Sequence, residues 1–255
     1  MPDDWMAGLS GQGLAFVVLA AFLAGSARGF SGFGAALIFI PLASAVVGPK
    51  LASATLLVVD AILTLGMLPA AFRLADRREV ATMALGAVVG VPLGTLALAV
   101  VDPVLLRWAI CSLAFLLLLF LISGWRYLGR PHTALTVGVG GIAGVFSGAA
   151  QLGGSPVVAY WLSGSSAGAR VRANVIAYFA VSTVISIASY LVGGLFEARV
   201  FLLCALAAPT YAIGLRLGST LHRTTDERHF RRVCFVLIGA SAVAGLPLFD
   251  GLWRS

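Results

Sequence analysis

Two stretches of this chain set glycine among hydrogen-bonding side chains inside otherwise apolar sequence. The first reads Gly25-Ser-Ala-Arg28-Gly29-Phe-Ser31-Gly32-Phe33-Gly34-Ala-Ala and is followed by Pro41. The second reads Gly144-Val-Phe-Ser147-Gly148-Ala-Ala-Gln151-Leu-Gly153-Gly154-Ser155-Pro156. Glycine admits positive φ and lets backbone N–H groups approach a ligand. Proline near the start of the next helix leaves the first N–H groups pointing outward. Such a helix start attracts an anion. Ser31, Ser147, Gln151 and Ser155 add hydrogen bonds without negative charge, and Arg28 offers a counter-charge. The binding candidates are therefore Arg28, Gly29, Ser31, Gly32, Gly34, Ser147, Gln151, Gly153, Gly154 and Ser155. The alternative is that the glycines serve close helix packing, as in Gly-x-x-x-Gly contacts.

Polar groups elsewhere in apolar runs extend this set. Thr55 and Asn174 occupy matched positions after the two hairpins and are candidate substrate contacts, although Asn174 could instead bind a neighbouring helix. Asp60 is the one carboxylate deep in an apolar run. It either carries a proton and couples transport to a proton gradient, or pairs with an arginine as a structural bridge. Arg216 faces substrate or snorkels to the interface. His132, His222 and His229 lie in polar breaks and read as solvated. Cys111, Cys204 and Cys234 stand singly, without metal-ligand spacing. No cofactor or metal is expected. No enzyme constellation is visible: there are no paired carboxylates in a run, no nucleophile beside a histidine and no P-loop.

The elements that must position these residues follow from composition. Hydrophobic residues make up 60% of the chain, charged residues 11%, and the mean hydropathy is +1.02. Soluble domains carry roughly 25% charged residues. A chain of 255 residues cannot bury this much apolar surface on itself, so the bilayer must act as its solvent. The net charge of +7 sits in short breaks between apolar runs. That placement points to membrane topology and anionic lipid, and away from nucleic acid. The N-terminal Met1-Pro2-Asp3-Asp4-Trp5 lacks a basic signal-peptide region, so the first run is expected to remain as a helix.

Apolar runs lie near 13–27, 33–47, 51–72, 80–101, 104–124, 134–149, 153–163, 171–195, 200–221 and 233–248. A spanning helix needs roughly 20 residues. The first, second, sixth and seventh runs are short and form two pairs, each joined by a glycine hairpin.

The pattern repeats. Gly25-x-x-x-Gly29 matches Gly144-x-x-x-Gly148, Gly34 matches Gly153, and Ala54-Thr55 matches Ala173-Asn174, all at one offset. A slightly larger offset pairs Gly90-x-x-x-Gly94 with Gly214-x-x-x-Gly218 and Arg107 with Arg231. The expected fold is an all-α polytopic membrane protein. It comprises two inverted repeats of about five helical elements, residues 1–130 and 131–255, with broken or short helices at the hairpins. With the N-terminus outside and every run crossing, the inside breaks hold Arg28, Arg73, Arg77, Arg78, Arg126, Arg130, Arg170, Arg172, Arg223, Arg228, Arg231 and Arg232. The outside breaks hold Lys50, Arg107, Arg199 and Arg254. Twelve against four obeys the positive-inside rule. Re-entrant hairpins would lower the number of spans without changing the sides of the later loops.

Gly29-Phe-Ser-Gly-Phe-Gly34 with Pro41, and Gly148-Ala-Ala-Gln-Leu-Gly-Gly-Ser-Pro156 half a chain later, resemble the sulfite exporter TauE/SafE family. The resemblance covers essentially the whole chain, and its specific motifs are the two hairpins. It implies a multi-pass secondary transporter of the bacterial inner (plasma) membrane, acting on sulfite, organosulfonates or related oxyanions. Alternating access, a small anionic substrate, lipid contact and a homodimer belong to that expectation. The rivals are a transporter of a carboxylate or neutral metabolite, and a membrane scaffold. Departures lie at Gly34-Ala35-Ala36, at Gly153-Gly154-Ser155, and at Tyr160 where the first hairpin has Pro41. They bear on the substrate.

Overall fold

A computed structural model describes residues 11–31, 34–124, 132–161, 168–224 and 227–249, and all regular structure among them is helical. The first half holds α1 (Gly11–Ser31), α2 (Ala35–Val47), α3 (Pro49–Thr64), a 3-10 turn (Leu65–Met67), α4 (Leu68–Leu74), α5 (Arg77–Val100) and α6 (Pro103–Ser123). The second holds α7 (Thr133–Ala150), α8 (Gly154–Trp161), α9 (Gly168–Val192), α10 (Ala198–Thr224) and α11 (Glu227–Ala244), with a last 3-10 turn at Pro247–Phe249. Helix is the form that satisfies every backbone polar group within one segment, as lipid requires.

Seven segments are long and apolar enough to cross a membrane: Gly11–Phe30, Pro49–Leu74, Arg77–Val100, Pro103–Ser123, Thr133–Ala150, Ala169–Val192 and Ala198–Leu221. The chain is a multi-pass membrane protein. One expectation about the hairpins is corrected. Their first arms are not short, because α1 has 21 residues and α7 has 18. Only the second arms are short, with 13 residues in α2 and 8 in α8. At about 1.5 Å per residue, α2 rises about 20 Å and α8 about 12 Å, against a hydrocarbon core of about 30 Å. The first arms run on through their glycines because a neighbouring helix occupies the space the missing side chains leave.

The described chain divides into two compact units. One comprises Met1–Val59, Val101–Ile122 and Phe196–Ser255; the other comprises Asp60–Val100 and Ser123–Leu195. Each unit joins pieces from both sequence halves.

In the first unit, α1 packs along α10. A Cβ on Gly25 would strike the Tyr211 carbonyl, and one on Gly29 the Leu215 carbonyl. From the other side, Gly214 faces the Phe22 carbonyl and Gly218 the Ser26 carbonyl. Residue numbers rise together along the seam, so α1 and α10 run parallel. The second unit has a matching seam between α5 and α7. There Gly86, Gly90 and Gly94 meet the carbonyls of Val137, Gly141 and Val145, while Gly140 and Gly148 meet those of Met83 and Val91. This pair is parallel too. Lipid supplies no hydrophobic drive between helices, so close backbone packing must hold them together.

The parallel seams agree with the arginine distribution. Taken unit by unit, it makes α1 and α10 both end inside, at Arg28 and at the breaks after residue 221. It makes α5 and α7 both begin inside. The side chains of Arg126, Arg130, Arg223, Arg228 and Arg231 lie outside the described residues.

Arg107, expected in an outside break, is instead buried in the second turn of α6. Its Nη2 donates to the Gly245 carbonyl at 3.0 Å, at the C-terminal end of α11. A cation there complements the helix dipole. Gly245 in turn lies against the Pro41 carbonyl, which ties α6 and α11 to the second arm of the first hairpin.

Candidate functional site

The second hairpin is described throughout. α7 ends when Gln151 takes a left-handed conformation, φ 58°, the one positive φ at a non-glycine among the described residues. The turn is closed by Gln151 N–H donating to Ser147 O at 2.9 Å and Leu152 N–H donating to Phe146 O at 3.0 Å. A left-handed residue with a Cβ costs about 1–2 kcal/mol, and strain of this kind collects at functional sites. The Gln151 side chain is held by its surroundings. Its Nε2 donates to the Tyr190 hydroxyl at 3.4 Å, and that hydroxyl donates to the Gly148 carbonyl at 2.9 Å.

Gly153 follows, with its α-carbon pressed against α7. A Cβ there would strike Ser147 Oγ and the Ala143 carbonyl. Gly154 and Ser155 open α8, and Pro156 stands third in it. The N–H groups of Gly153 and Gly154 donate to no described residue, and Pro156 has no N–H to give. Ser147 and Ser155 are both buried beside this break. The break between α7 and α8 thus sets N–H groups with no acceptor among the described residues beside buried hydroxyls, with no carboxylate in the hairpin sequence.

In the first hairpin the described residues are the end of α1 and the start of α2. Gly34 has φ 95° and forms the N-cap of α2, with Leu37 N–H donating to its carbonyl at 3.1 Å. The N–H groups of Gly34 and Ala35 donate to no described residue. Arg28 lies half-buried in the last turn of α1, where a cation is favoured by the helix dipole. Ser31 closes α1. Gly32 and the side chain of Ser31 lie outside the described residues. Pro41 sits within α2, not at its start, whereas Pro156 is where a helix start tolerates proline.

The packing alternative accounts for part of each hairpin. Gly25, Gly29 and Gly148 face the backbone of a neighbouring helix, as does Gly144, where a Cβ would come within 3.0 Å of Ala87 Cα. Gly34 and Gly153 answer to different demands, one a positive φ and the other a fold of the chain back onto its own helix.

Thr55 and Asn174 diverge. Thr55 in α3 is 1% exposed, and its hydroxyl has no hydrogen-bond partner among the described residues. Asn174 in α9 is equally buried but fully engaged. Its Oδ1 accepts from Asp76 N–H at 2.7 Å and its Nδ2 donates to Glu79 Oε2 at 3.0 Å. Asp60 is half-buried near the end of α3, and its carbonyl accepts from Thr64 Oγ1 at 2.7 Å. Arg216 is exposed on α10. Cys111, Cys204 and Cys234 are free thiols, and no group of metal-binding side chains occurs among the described residues.

Sequence reasoning noted Tyr160 but missed Tyr178 and Tyr190. Tyr178 and Tyr190 on α9 are wholly buried and donate to the carbonyls of Gly140 and Gly148 along α7. Tyr160 on α8 shares a hydrogen bond with Thr136 on α7. A buried tyrosine hydroxyl needs a partner, so each tyrosine in an apolar run was a signal; its partner lay too far along the chain to be read.

The family model described as sulfite exporter TauE/SafE matches residues 17–245, a span that includes both hairpins. No curated protein and no solved structure matches the chain.

Proposed function

This chain belongs to the sulfite exporter TauE/SafE family, a family of membrane transporters, and on that premise we propose that it is a secondary transporter of sulfite or an organosulfonate in a bacterial inner membrane. The observation that carries the anion reading is the second hairpin. Its strained turn at Gln151 leads into a helix start whose first N–H groups, at Gly153 and Gly154, have no described acceptor. An oxyanion accepts from such groups without needing a covalent partner. Ser147, Gln151 and Ser155 supply side-chain donors, and Gly34 and Ala35 present an equivalent helix start in the first hairpin. The unpartnered hydroxyl of Thr55 supports its place among the substrate contacts. The engagement of Asn174 with Asp76 and Glu79 supports a bracing role for that residue.

The matched order of the helices and the parallel seams support two inverted repeats, over residues 1–130 and 131–255, working by alternating access. Arg28 is the counter-charge of the first hairpin. Purified protein in proteoliposomes is expected to carry sulfite or a sulfonate. Arg28→Ala is expected to abolish that flux while leaving the thermal transition in place. Flux at the wild-type rate in this variant would remove Arg28 from the mechanism. A panel with carboxylates and neutral metabolites separates the rival substrates. A response to none of the solutes would favour a scaffold.

Asp60 is the group proposed to couple transport to protons. Asp60→Asn is expected to leave downhill exchange of the anion intact and to abolish accumulation driven by an imposed pH gradient. Gradient-driven accumulation that survives the change would assign Asp60 to structure.

A further inference from the structure

The Asn174 bonds draw two helix starts into one corner of the second unit. Asn174 lies in the second turn of α9, and it holds both the backbone of Asp76 and the carboxylate of Glu79 at the start of α5. Asp76 Oδ1 is itself engaged, accepting from the N–H groups of Arg78 at 3.0 Å and Glu79 at 3.1 Å. Both carboxylates of the corner are therefore used for local structure.

Five arginines surround them: Arg73 at the end of α4, Arg77 and Arg78 at the start of α5, and Arg170 and Arg172 at the start of α9. All five are exposed, and no guanidinium group among them makes a hydrogen bond or ion pair with a described residue. Four of them stand in or near the first turns of helices. The helix dipole disfavours a cation there and favours an anion. Arginine forks bind phosphate oxygens in pairs. Beside Arg73 the side chains of Phe72 and Leu74 are exposed and apolar, which gives acyl chains a surface next to the charges. The arginine distribution places this corner at the inner face, where anionic lipid is found.

We infer that this corner, built from the α4–α5 junction and the start of α9 and locked by Asn174, is a binding site for the headgroups of anionic phospholipids. It is independent of the anion-transport reading.

The test compares lipid retention by the purified full chain in native mass spectrometry with its melting temperature in vesicles. The vesicles contain phosphatidylcholine alone or with phosphatidylglycerol or cardiolipin. The wild type is expected to keep anionic lipid through delipidation and to melt higher in the anionic vesicles. Arg170→Gln/Arg172→Gln is expected to bind anionic lipid roughly thirtyfold more weakly, and to lose most of the melting shift. Inorganic phosphate is expected to give no shift, because it lacks acyl chains. The inference is overturned if the wild type shows no preference for anionic lipid, if inorganic phosphate reproduces the shift, or if the double variant retains lipid like the wild type. Should the glutamine variant fail to insert, Arg170→Lys/Arg172→Lys and the wild-type lipid preference decide. The lysine pair keeps the charge but loses the fork, and is expected to fall between wild type and the glutamine pair; a lysine pair equal to wild type alongside no wild-type preference overturns the site.

Discussion

Gly153→Ala is expected to raise the half-saturating anion concentration tenfold to a hundredfold, with a folded protein remaining. The added Cβ falls on Ser147 Oγ and on the Ala143 carbonyl. The serine can rotate away; the carbonyl belongs to the α7 backbone and cannot. Residue 153 must therefore lift off α7, and the N–H groups of residues 153 and 154 turn from their present direction. A hydrogen bond to a charged group contributes about 1.5–3 kcal/mol, and loss of one such bond gives the stated range. The overpacking itself costs about 1–3 kcal/mol, so a lower melting temperature accompanies the effect. Gly138→Ala is the control. It lies on α7 with nothing within 4 Å of its added Cβ, and is expected to leave transport unchanged. Concentration-dependent flux in proteoliposomes measures both. An unaltered half-saturation in Gly153→Ala would detach the α8 start from anion binding.

The second large effect concerns the seams. Gly90→Leu is expected to destabilise the protein by about 3 kcal/mol or more. The three atoms nearest its Cβ are all backbone: the oxygen and carbon of the Gly141 carbonyl and the Val145 nitrogen. No rotamer relieves that clash, so α5 and α7 must separate along the seam. Gly214→Leu is expected to act alike in the first unit, where the obstacle is the Phe22 carbonyl and the Ser26 backbone. Titration with a denaturing detergent, followed by loss of helical signal, reads the change. Gly138→Leu, directed into open space, is expected to shift the midpoint little. Midpoints for Gly90→Leu and Gly138→Leu that coincide would mean the seam does not hold the unit together.

The two hairpins show how much of the site was legible. Gly34 and Gly153 could be picked out because both sit at one offset beside serine and proline, and both have a local reason to be glycine. Gly29 carried the same marks in sequence. In the structure its missing side chain makes room for α10, nearly two hundred residues away, a partner that no local pattern announces. Gln151 was chosen for its hydrogen-bonding amide. Its left-handed backbone was not foreseeable, since glycine lies two residues further on and would be the usual choice for that conformation. Asn174 was chosen because it matches Thr55 in the repeat. Its amide binds a helix corner while the hydroxyl of Thr55 has no partner among the described residues, so positions matched by the offset differ in what they touch.

Sequence by itself determined the solvent, the helices and the placement of the hairpins. Those follow from apolar run length, from glycine and proline, and from arginine at the ends of runs, all of them local or additive properties. Tertiary structure decided the partners. The repeat offset pairs Gly25 and Gly29 with Gly144 and Gly148, and each of those motifs packs within its own unit. The first pair packs on Gly214 and Gly218, and the second on the α5 face that includes Gly90 and Gly94. An offset marks which residues are equivalent, whereas contact depends on how closely two backbones can approach. The hairpins accordingly divide between two tasks: glycines that hold α1 and α7 against their neighbours, and glycines that turn the chain and leave its N–H groups free.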